Sequence, residues 1–353
     1  MSERKDKVSG SGIGRLKDCP GSYALESTMP KDQGNAYSES GTRIHEWIAT
    51  GEGVLTPEET ETANLCIHFH KEVIDTINAG NITYVTTEKR LWLGELYSGQ
   101  IDRIDHIGDE IAIVSDYKTG RISQGKAEEN IQLRAYAVLV KANLPKLKKI
   151  YVSIIQPRTD TPYTIAEYDE EALEEARKEI VGIVERAYAP DAPRNATPSA
   201  CKYCRAKSVC PEAGGKMQTL AKNSLEGILT LTDEQLSEYN DAADVAESVI
   251  EAIRSETRRR LNSGSSIRGW ELKPGRTTRT IENAEDAWCK IANAEILDAA
   301  EFAQCCKISV TSLEKAVVRN LKLKAKEGKE KLSEILGEVL ATKQSEPVMS
   351  RTK

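Results

Sequence analysis

The chain has 353 residues, 39% hydrophobic and 29% charged, which calls for a packed core and about two domains. Its 49 basic and 55 acidic residues leave a net charge of −6, which excludes a polybasic protein but not nucleic-acid binding through a local patch. Aromatic residues are 5%, too few for an extended base-stacking platform.

In chain order, apolar residues at helical spacing predict helices over 36–50 and 56–79, the second opened by Thr56-Pro57-Glu58-Glu59. Three runs rich in β-branched residues follow at 82–94, 95–108 and 109–120. With Gly108-Asp109 as a tight turn, they predict a β-meander. Next come a helix over 127–143 opened by acids, a strand over 148–158 stopped by Pro157, and a helix over 169–188. A Pro-rich linker at 189–200 leads to a cysteine cluster at 201–210. From Lys216 the chain reads as mainly helical, with segments at 232–262, 282–293, 298–306 and 311–339. A basic stretch at 265–280 suits a hairpin, and the polar tail after Ala341 is expected to be disordered. The expected units are thus 1–215, 216–340 and a tail, 341–353. The acidic excess lies wholly in the first, which holds 27 basic against 33 acidic residues.

No run approaches the ~20 apolar residues that span a bilayer, so no membrane partner is expected. The polar start MSERKDKVSGSG has no apolar stretch behind its charges, which makes a reducing cytoplasm the expected location. Eight cysteines there suggest metal or redox chemistry rather than disulfides.

Asp116 and Lys118 stand two apart at the end of a predicted strand, so their side chains share a face and Tyr117 takes the other. Asp102 lies on the neighbouring strand, near enough across the hairpin to share a divalent cation with Asp116. Hard oxygen donors of this kind suit Mg²⁺ or Mn²⁺. A cation there would lower the pKa of a bound water, and Lys118 would orient that water and stabilise charge on a phosphoryl group. Taken singly, the residues have plainer readings. Asp-x-Lys is common in surface ion pairs, and His45, Gln132 and Tyr136 would be ordinary helix residues. Asp105, read as lying on the same face as Asp102, competes with it as a ligand. His68 and His70 read as structural, and His106 near the turn as solvated.

Four segments nevertheless occur in order: Gly41-Thr-Arg-Ile-His45, Gly99-Gln-Ile-Asp102, Asp116-Tyr-Lys118-Thr-Gly and Gln132-Leu-Arg-Ala-Tyr136. With the predicted helix, meander, helix and strand, they resemble the PD-(D/E)XK nuclease superfamily over roughly residues 9–215. The likeness is to its RecB-like branch of AddB- and Cas4-type iron–sulfur nucleases. The resemblance implies an α/β fold with a restriction-endonuclease-like αβββαβ core, its central mixed sheet flanked by helices. It implies that His45, Asp102, Asp116 and the carbonyl of Tyr117 hold Mg²⁺ or Mn²⁺, and that Lys118 is the catalytic lysine. Gln132 and Tyr136 would line the site and help hold the DNA strand. Glu88, on the preceding strand, is a weaker candidate.

Cys201-x2-Cys204-x5-Cys210-Pro supplies three thiolates, one fewer than a closed site needs, and Cys19 is the candidate fourth. Spacing alone favours Zn²⁺. The resemblance, in which one cysteine precedes the core and three follow it, implies a [4Fe–4S] cluster that ties together the ends of the nuclease domain. Cys66, Cys289, Cys305 and Cys306 lack ligand spacing and read as buried free thiols.

Basic residues gather at Arg254 and Arg258–Arg260, at Arg268, Lys273, Arg276 and Arg279, and between Lys315 and Lys331. They would guide a duplex or simply form solvated faces. Together with Gly269-Trp-Glu-Leu-Lys-Pro-Gly-Arg276, they resemble an uncharacterised family of phage and prophage proteins with a RecB-like core. The expectation is a phage-type exonuclease on linear duplex DNA, resecting ends beside a single-strand annealing protein in a bacterial or phage-infected cell. A non-specific endonuclease, and a DNA-binding or assembly protein with little hydrolytic activity, are the alternatives. An oligomer, such as a ring around DNA, would suit processivity.

Overall fold

The computed structural model describes residues 7–30, 36–221, 231–272, 284–293, 298–299, 302–303, 306 and 309–337. The chain divides into two compact units, Met1–Leu272 and Lys273–Lys353.

The first unit opens with elements too short for periodicity to reveal: β1 (Val8–Ser9), a 3-10 turn at Gly10–Gly12, α1 (Ile13–Asp18) and α2 (Ser22–Ser27). The expected helices follow as α3 (Ala36–Thr50) and α4 (Pro57–Ile77). At the start of α4, Thr56 Oγ1 accepts from the Glu59 amide at 3.3 Å, while Glu59 Oε2 accepts from the Thr56 amide at 2.9 Å. This reciprocal cap, with Pro57 in the first turn, fixes where the helix begins.

The meander is β2 (Tyr84–Leu93), β3 (Tyr97–Ile107) and β4 (Ile111–Tyr117), and Gly108 makes the last turn with φ 60°. The next helix, α5 (Ile131–Asn143), starts later than expected. Asn130 accepts from the amides of Gln132 and Leu133 at 3.0 and 3.1 Å and sets the start beyond Glu128 and Glu129. After β5 (Lys149–Ile155) comes a strand absent from the expectation, β6 (Tyr163–Tyr168), and then α6 (Glu170–Tyr188), capped by Asp169.

The six strands make one mixed sheet in the order β1-β3-β4-β5-β6, with β2 also paired to β3. β4 and β5 run parallel with Tyr117 opposite Ile155, and α5 is the crossover between them. One face, with Val114, Ile150, Val152 and Ile154, packs on Leu133 and Leu139 of α5 and Ile180 and Val184 of α6. Each such fully buried aliphatic contributes about 1.5–3 kcal/mol. The alternation of β4 turns Tyr117 to the opposite face, where its ring lies 6.1 Å from that of His70 on α4. Ala63, Cys66, Phe69 and Val73 form the buried stripe of α4.

Three helices complete the unit: α7 (Pro198–Lys202), α8 (Pro211–Ala221) and α9 (Asp233–Asn262). The stripe Ala242, Val245, Ala246 and Val249 buries one side of α9, and Val245 and Val249 pack with Ala196, Cys201 and Ala213. The compact unit therefore runs past the expected boundary at 215, because α9 belongs to it.

In the second unit the described helices are α10 (Ala284–Asn293), α11 (Val310–Leu321) and α12 (Ala325–Leu336). The single helix expected over 311–339 is broken where Lys322 takes the left-handed conformation, φ 53°. Cys289 and Cys306 are exposed rather than buried. In α10 it is Trp288 that turns inward, its ring 5.3 Å from that of Phe302, and the neighbouring Cys289 faces away. Of the expected hairpin at 265–280, an Ile267–Trp270 bridge is described. Its part beyond Leu272, most of the helix at 298–306, Cys305 and the tail at 341–353 lie outside the described residues. Among the described residues no helix is long and apolar enough to cross a membrane.

One close approach links fold to site. A Cβ on Gly99 of β3 would stand 2.8 Å from both Tyr136 Cε1 and Leu139 Cδ1, and one on Gly10 would stand 2.8 Å from Tyr136 Cε1. The Tyr136 ring thus fits between two backbones that can carry no side chain. Gly99→Ala should cost about 1–3 kcal/mol in urea unfolding by overpacking, and unchanged stability would show that the ring is not held there.

Candidate functional site

His45 on α3 faces the meander. Its Nδ1 lies 3.4 Å from Asp102 Oδ1 on β3 and 3.8 Å from Glu88 Oε1 on β2. One ligating atom from each of these three residues lies within 4.8 Å of the others, a grouping able to hold a metal ion. Burial works against a charge on His45, but Asp102 and Glu88 outweigh it and hold its pKa at about 10. A proton thus sits between the two carboxylates where a cation would otherwise be needed.

Glu88 has φ 48°, a conformation costly for any residue but glycine. It is left out of the β2–β3 pairing between Thr87–Arg103 and Lys89–Ile101, at the level of Asp102, while the register continues unchanged. Gln100 donates to Glu88 Oε2 at 2.6 Å and accepts from Arg90 at 3.1 Å.

Asp102 Oδ2 also accepts from the amide of Tyr117 at 2.8 Å, which links β3 to the end of β4. Beside it, Asp116 is buried, and burial raises its pKa; Lys118 opposes the rise and Asp102 adds to it. Lys118 Nζ lies 2.8 Å from Asp116 Oδ2 and donates to Gln132 Oε1 at 3.3 Å. Burial works against the ammonium, but Asp116 outweighs it and holds the Lys118 pKa above its ordinary value. Gln132 Nε2 donates to Asp116 Oδ1 at 3.2 Å and to the Tyr136 hydroxyl at 2.8 Å. Asp116 Oδ2 makes its ion pair but no directed hydrogen bond, although it is buried. An oxygen of this kind has a lone pair to offer a cation.

The structure therefore gathers His45, Asp102, Asp116, Lys118, Gln132 and Tyr136. Glu88, the weaker candidate from sequence, completes the three-residue group with His45 and Asp102, while Asp116 stands with Lys118 and Gln132. Tyr117 brings its amide to Asp102. Its ring lies 6.1 Å from that of His45, edge-on.

Asp105 does not compete for this site. Positions three apart on a strand face opposite ways, and Asp105 turns to His70 Nε2 at 3.0 Å and accepts from Arg103 Nε at 3.0 Å. Burial works against its charge, yet His70 and Arg103 together hold its pKa below the usual carboxylate value. His106 is buried rather than solvated: it stacks on Tyr84 at 3.7 Å and pairs with Thr86 Oγ1 at 3.2 Å. His68 pairs with Glu72 at 3.3 Å, one helical turn on.

Cys19, Cys201, Cys204 and Cys210 line one small cavity together with Ser22, Arg194 and Lys207. Cys19 Sγ accepts from the Asn195 amide at 3.1 Å. Burial, then the neighbouring cysteines, push the Cys201 thiol up to about 11, and burial raises Cys204 and Cys210 as well. Four cysteines converging on one cavity are a donor set of the kind that holds a thiolate-bound metal. The chain ends meeting here are also joined without cysteine. Gly21 donates to the Pro193 carbonyl at 2.9 Å, Glu26 takes the Arg205 amide at 2.7 Å and Arg15 at 2.5 Å, and Lys17 pairs with Glu179 at 3.0 Å.

Of the basic clusters, Arg259 and Arg260 both pair with Glu256 at 2.7 Å, and Lys331 pairs with Glu334 at 2.8 Å. Lys273, Arg276 and Arg279 lie outside the described residues.

A family model described as "Protein of unknown function (DUF2800)" matches residues 58–352. The chain belongs to this family. The match takes in Glu88, Asp102, Asp116, Lys118 and three of the four clustered cysteines; His45 and Cys19 precede it. Among solved structures, SSO0001 is 21% identical, with 60% of this chain and 88% of that chain covered and a TM-score of 0.31. An alkaline exonuclease from Laribacter hongkongensis is 14% identical over 52% of this chain and 88% of its own, with a TM-score of 0.26. A phage related exonuclease from Haemophilus somnus is 13% identical over 52% and 93%, with a TM-score of 0.26. Scores this low leave the site of this DUF2800 protein to stand on its own geometry.

Asp102→Asn should weaken Mn²⁺ binding about tenfold or more in calorimetric titration, by the loss of a charged ligand. Equal affinity in this variant would remove the cation from the His45–Glu88–Asp102 group.

Proposed function

We propose that this protein is a metal-dependent deoxyribonuclease that hydrolyses phosphodiester bonds, with an exonuclease acting from the ends of linear duplex as the favoured form. The observation that carries this reading is Lys118, paired at 2.8 Å with the buried Asp116 and held by Gln132, beside the His45–Glu88–Asp102 group. His45, Glu88 and Asp102 would hold Mg²⁺ or Mn²⁺, with Asp116 and the Tyr117 carbonyl as the further ligands that the nuclease resemblance implies. The buried, hydrogen-bond-poor Asp116 Oδ2 fits that role. Once bound, the cation supplies Lewis acidity and an acidified water.

The chain's own residues do the rest. Lys118 keeps its proton because Asp116 lies against it, so it presents a fixed positive charge where a phosphoryl oxygen gains negative charge. Gln132 holds the Lys118 ammonium and Asp116 in one arrangement through its amide oxygen and nitrogen. Tyr136, wedged against Gly10 and Gly99, fixes Gln132 from behind. The Tyr117 amide holds Asp102 in register with Asp116. The order of charges along these strand ends supports the reading as a phosphodiester hydrolase, and the four sequence segments that resemble RecB-like nucleases supply the same residues.

Within this reading, Cys19, Cys201, Cys204 and Cys210 hold a [4Fe–4S] cluster. Their convergence on one cavity supports a four-thiolate site, and the choice of iron–sulfur over Zn²⁺ rests on the AddB-type resemblance. Phage-type end resection, with a single-strand annealing protein as partner, rests on the same resemblance.

The test is degradation of end-labelled linear duplex with Mg²⁺ or Mn²⁺, beside a covalently closed circle. The wild type should consume the linear DNA alone, and Lys118→Ala should lose at least about a hundredfold in rate while keeping its fold by circular dichroism. Nicking of the circle would make it an endonuclease; full activity in Lys118→Ala would falsify the assigned site. Protein purified without oxygen should contain iron and acid-labile sulfide and absorb in the visible. Zinc without sulfide would replace the cluster by a zinc site.

A further inference from the structure

The parallel strands β4 and β5 end side by side, and the chain leaving each carries an arginine: Arg121, three residues after Lys118, and Arg158, three after Ile155. The two exits are tied together. The Lys118 amide donates to the Ile155 carbonyl at 2.8 Å, and the buried Gln156 accepts from the Gln124 amide at 2.9 Å. Arg121 and Arg158 therefore stand at the same end of the sheet as Lys118, the carboxyl end of parallel strands, where ligands of open α/β sheets bind.

Both guanidinium groups converge on a single atom. Glu58 Oε1, in the first turn of α4, is 3.2 Å from Arg121 NH2 and also pairs with Arg158 NH2. The adjacent Glu59 takes Arg43, which lies two residues before His45 on α3. Arg43, Arg121 and Arg158 are thus gathered by two glutamates of one helix start. The Glu58 side chain is 65% exposed and that of Arg121 is 75% exposed, so this ion pair faces water. Arg158 first, then Arg121, hold the Glu58 pKa below its ordinary value, so the carboxylate is present at neutral pH. One oxygen shared by two guanidinium groups is the arrangement that a phosphate oxygen would take, and an exposed pair such as Glu58–Arg121 is weak enough to exchange.

We propose that Arg121 and Arg158 form a phosphate-binding subsite for the nucleic-acid backbone beside Lys118, and that Glu58 occupies it as an internal surrogate that the phosphate must displace. This rests on the nuclease reading and deepens it by placing a backbone phosphate next to the one that is cut. Glu58 keeps the two arginines together and oriented without nucleic acid, and it weakens binding by competing for them, which favours release after each step.

The sign of one substitution separates this from a purely structural network. If the ion pairs only anchor the 118–126 loop, Glu58→Gln loosens the loop and binding weakens or stays the same. If Glu58 is a competitor, Glu58→Gln binds tighter. The experiment is anisotropy titration of the full chain with a short end-labelled duplex in EDTA, so that no strand is cut, over a range of salt. Thermal melts of each variant control for folding.

Glu58→Gln should bind about two- to fivefold tighter than wild type, as expected from freeing an exposed pair. Arg121→Ala should bind more weakly, with the slope of log affinity against log salt reduced by about one. Wild-type affinity and slope in both variants, or weaker binding by Glu58→Gln, would overturn the subsite and leave the nuclease reading intact. No binding of DNA by the wild type would overturn both.

Discussion

Two carboxylates drawn from adjacent strands into a space with little water set the terms for everything around them. Burial raises the cost of charge on Asp116, and the neighbouring Asp102 adds to it. Such a pair persists only if positive charge and directed donors are built in at once. The chain supplies His45 from α3, Lys118 from just beyond the end of the strand that carries Asp116, the Tyr117 amide and the Gln132 side chain. They come from three local decisions: a helix laid over the meander, a strand that ends at residue 117, and a crossover helix whose start is fixed by Asn130. The grouping of His45, Glu88 and Asp102 is able to hold a metal ion, which is the physical reason for proposing a cation there.

The same logic recurs at the cysteines on a second scale. Four cysteines line one small cavity, and burial opposes the ionisation of Cys201, Cys204 and Cys210 there. Cys201 and Cys210 also belong to the small apolar cluster on which Val245 and Val249 of α9 pack. The site therefore touches two joints, one between the ends of the core and one between the core and α9. The first of these also has ion pairs and backbone hydrogen bonds of its own, through Arg15, Lys17, Gly21 and Glu26.

Much of this was legible from residues. The meander, α3 to α6 and the convergence of Asp102, Asp116, Lys118, Gln132 and Tyr136 followed from period-two and helical spacing together with four motifs in order. The four cysteines, read as one site, line one cavity. What was not legible has identifiable causes. β1, α1 and α2 are two to six residues long, shorter than any window that reveals a period, and exist through tertiary contacts. β6 follows a turn rich in polar residues, and pairing with β5 defines it.

Errors at single residues had equally local causes. An odd separation puts Asp105 on the face opposite Asp102, and its partner His70 comes from α4, a different segment. His106 lies near a turn but is covered by Tyr84, a neighbour fixed only by strand register. Glu88 was underweighted because its left-handed backbone has no signature in sequence. Arg121, Arg158 and Glu58 carry no motif; they meet because β4 and β5 are parallel and α4 begins at their ends.

The claim at the centre is that a divalent cation sits among His45, Glu88 and Asp102, within reach of Asp116. It is tested most directly by crystals soaked in Mn²⁺ and measured at the manganese absorption edge. One strong anomalous peak is expected at coordination distance, about 2.0–2.3 Å, from side-chain atoms of His45 and Asp102. Full occupancy at another cluster, with His45 still paired to Asp102 and Glu88, would contradict it.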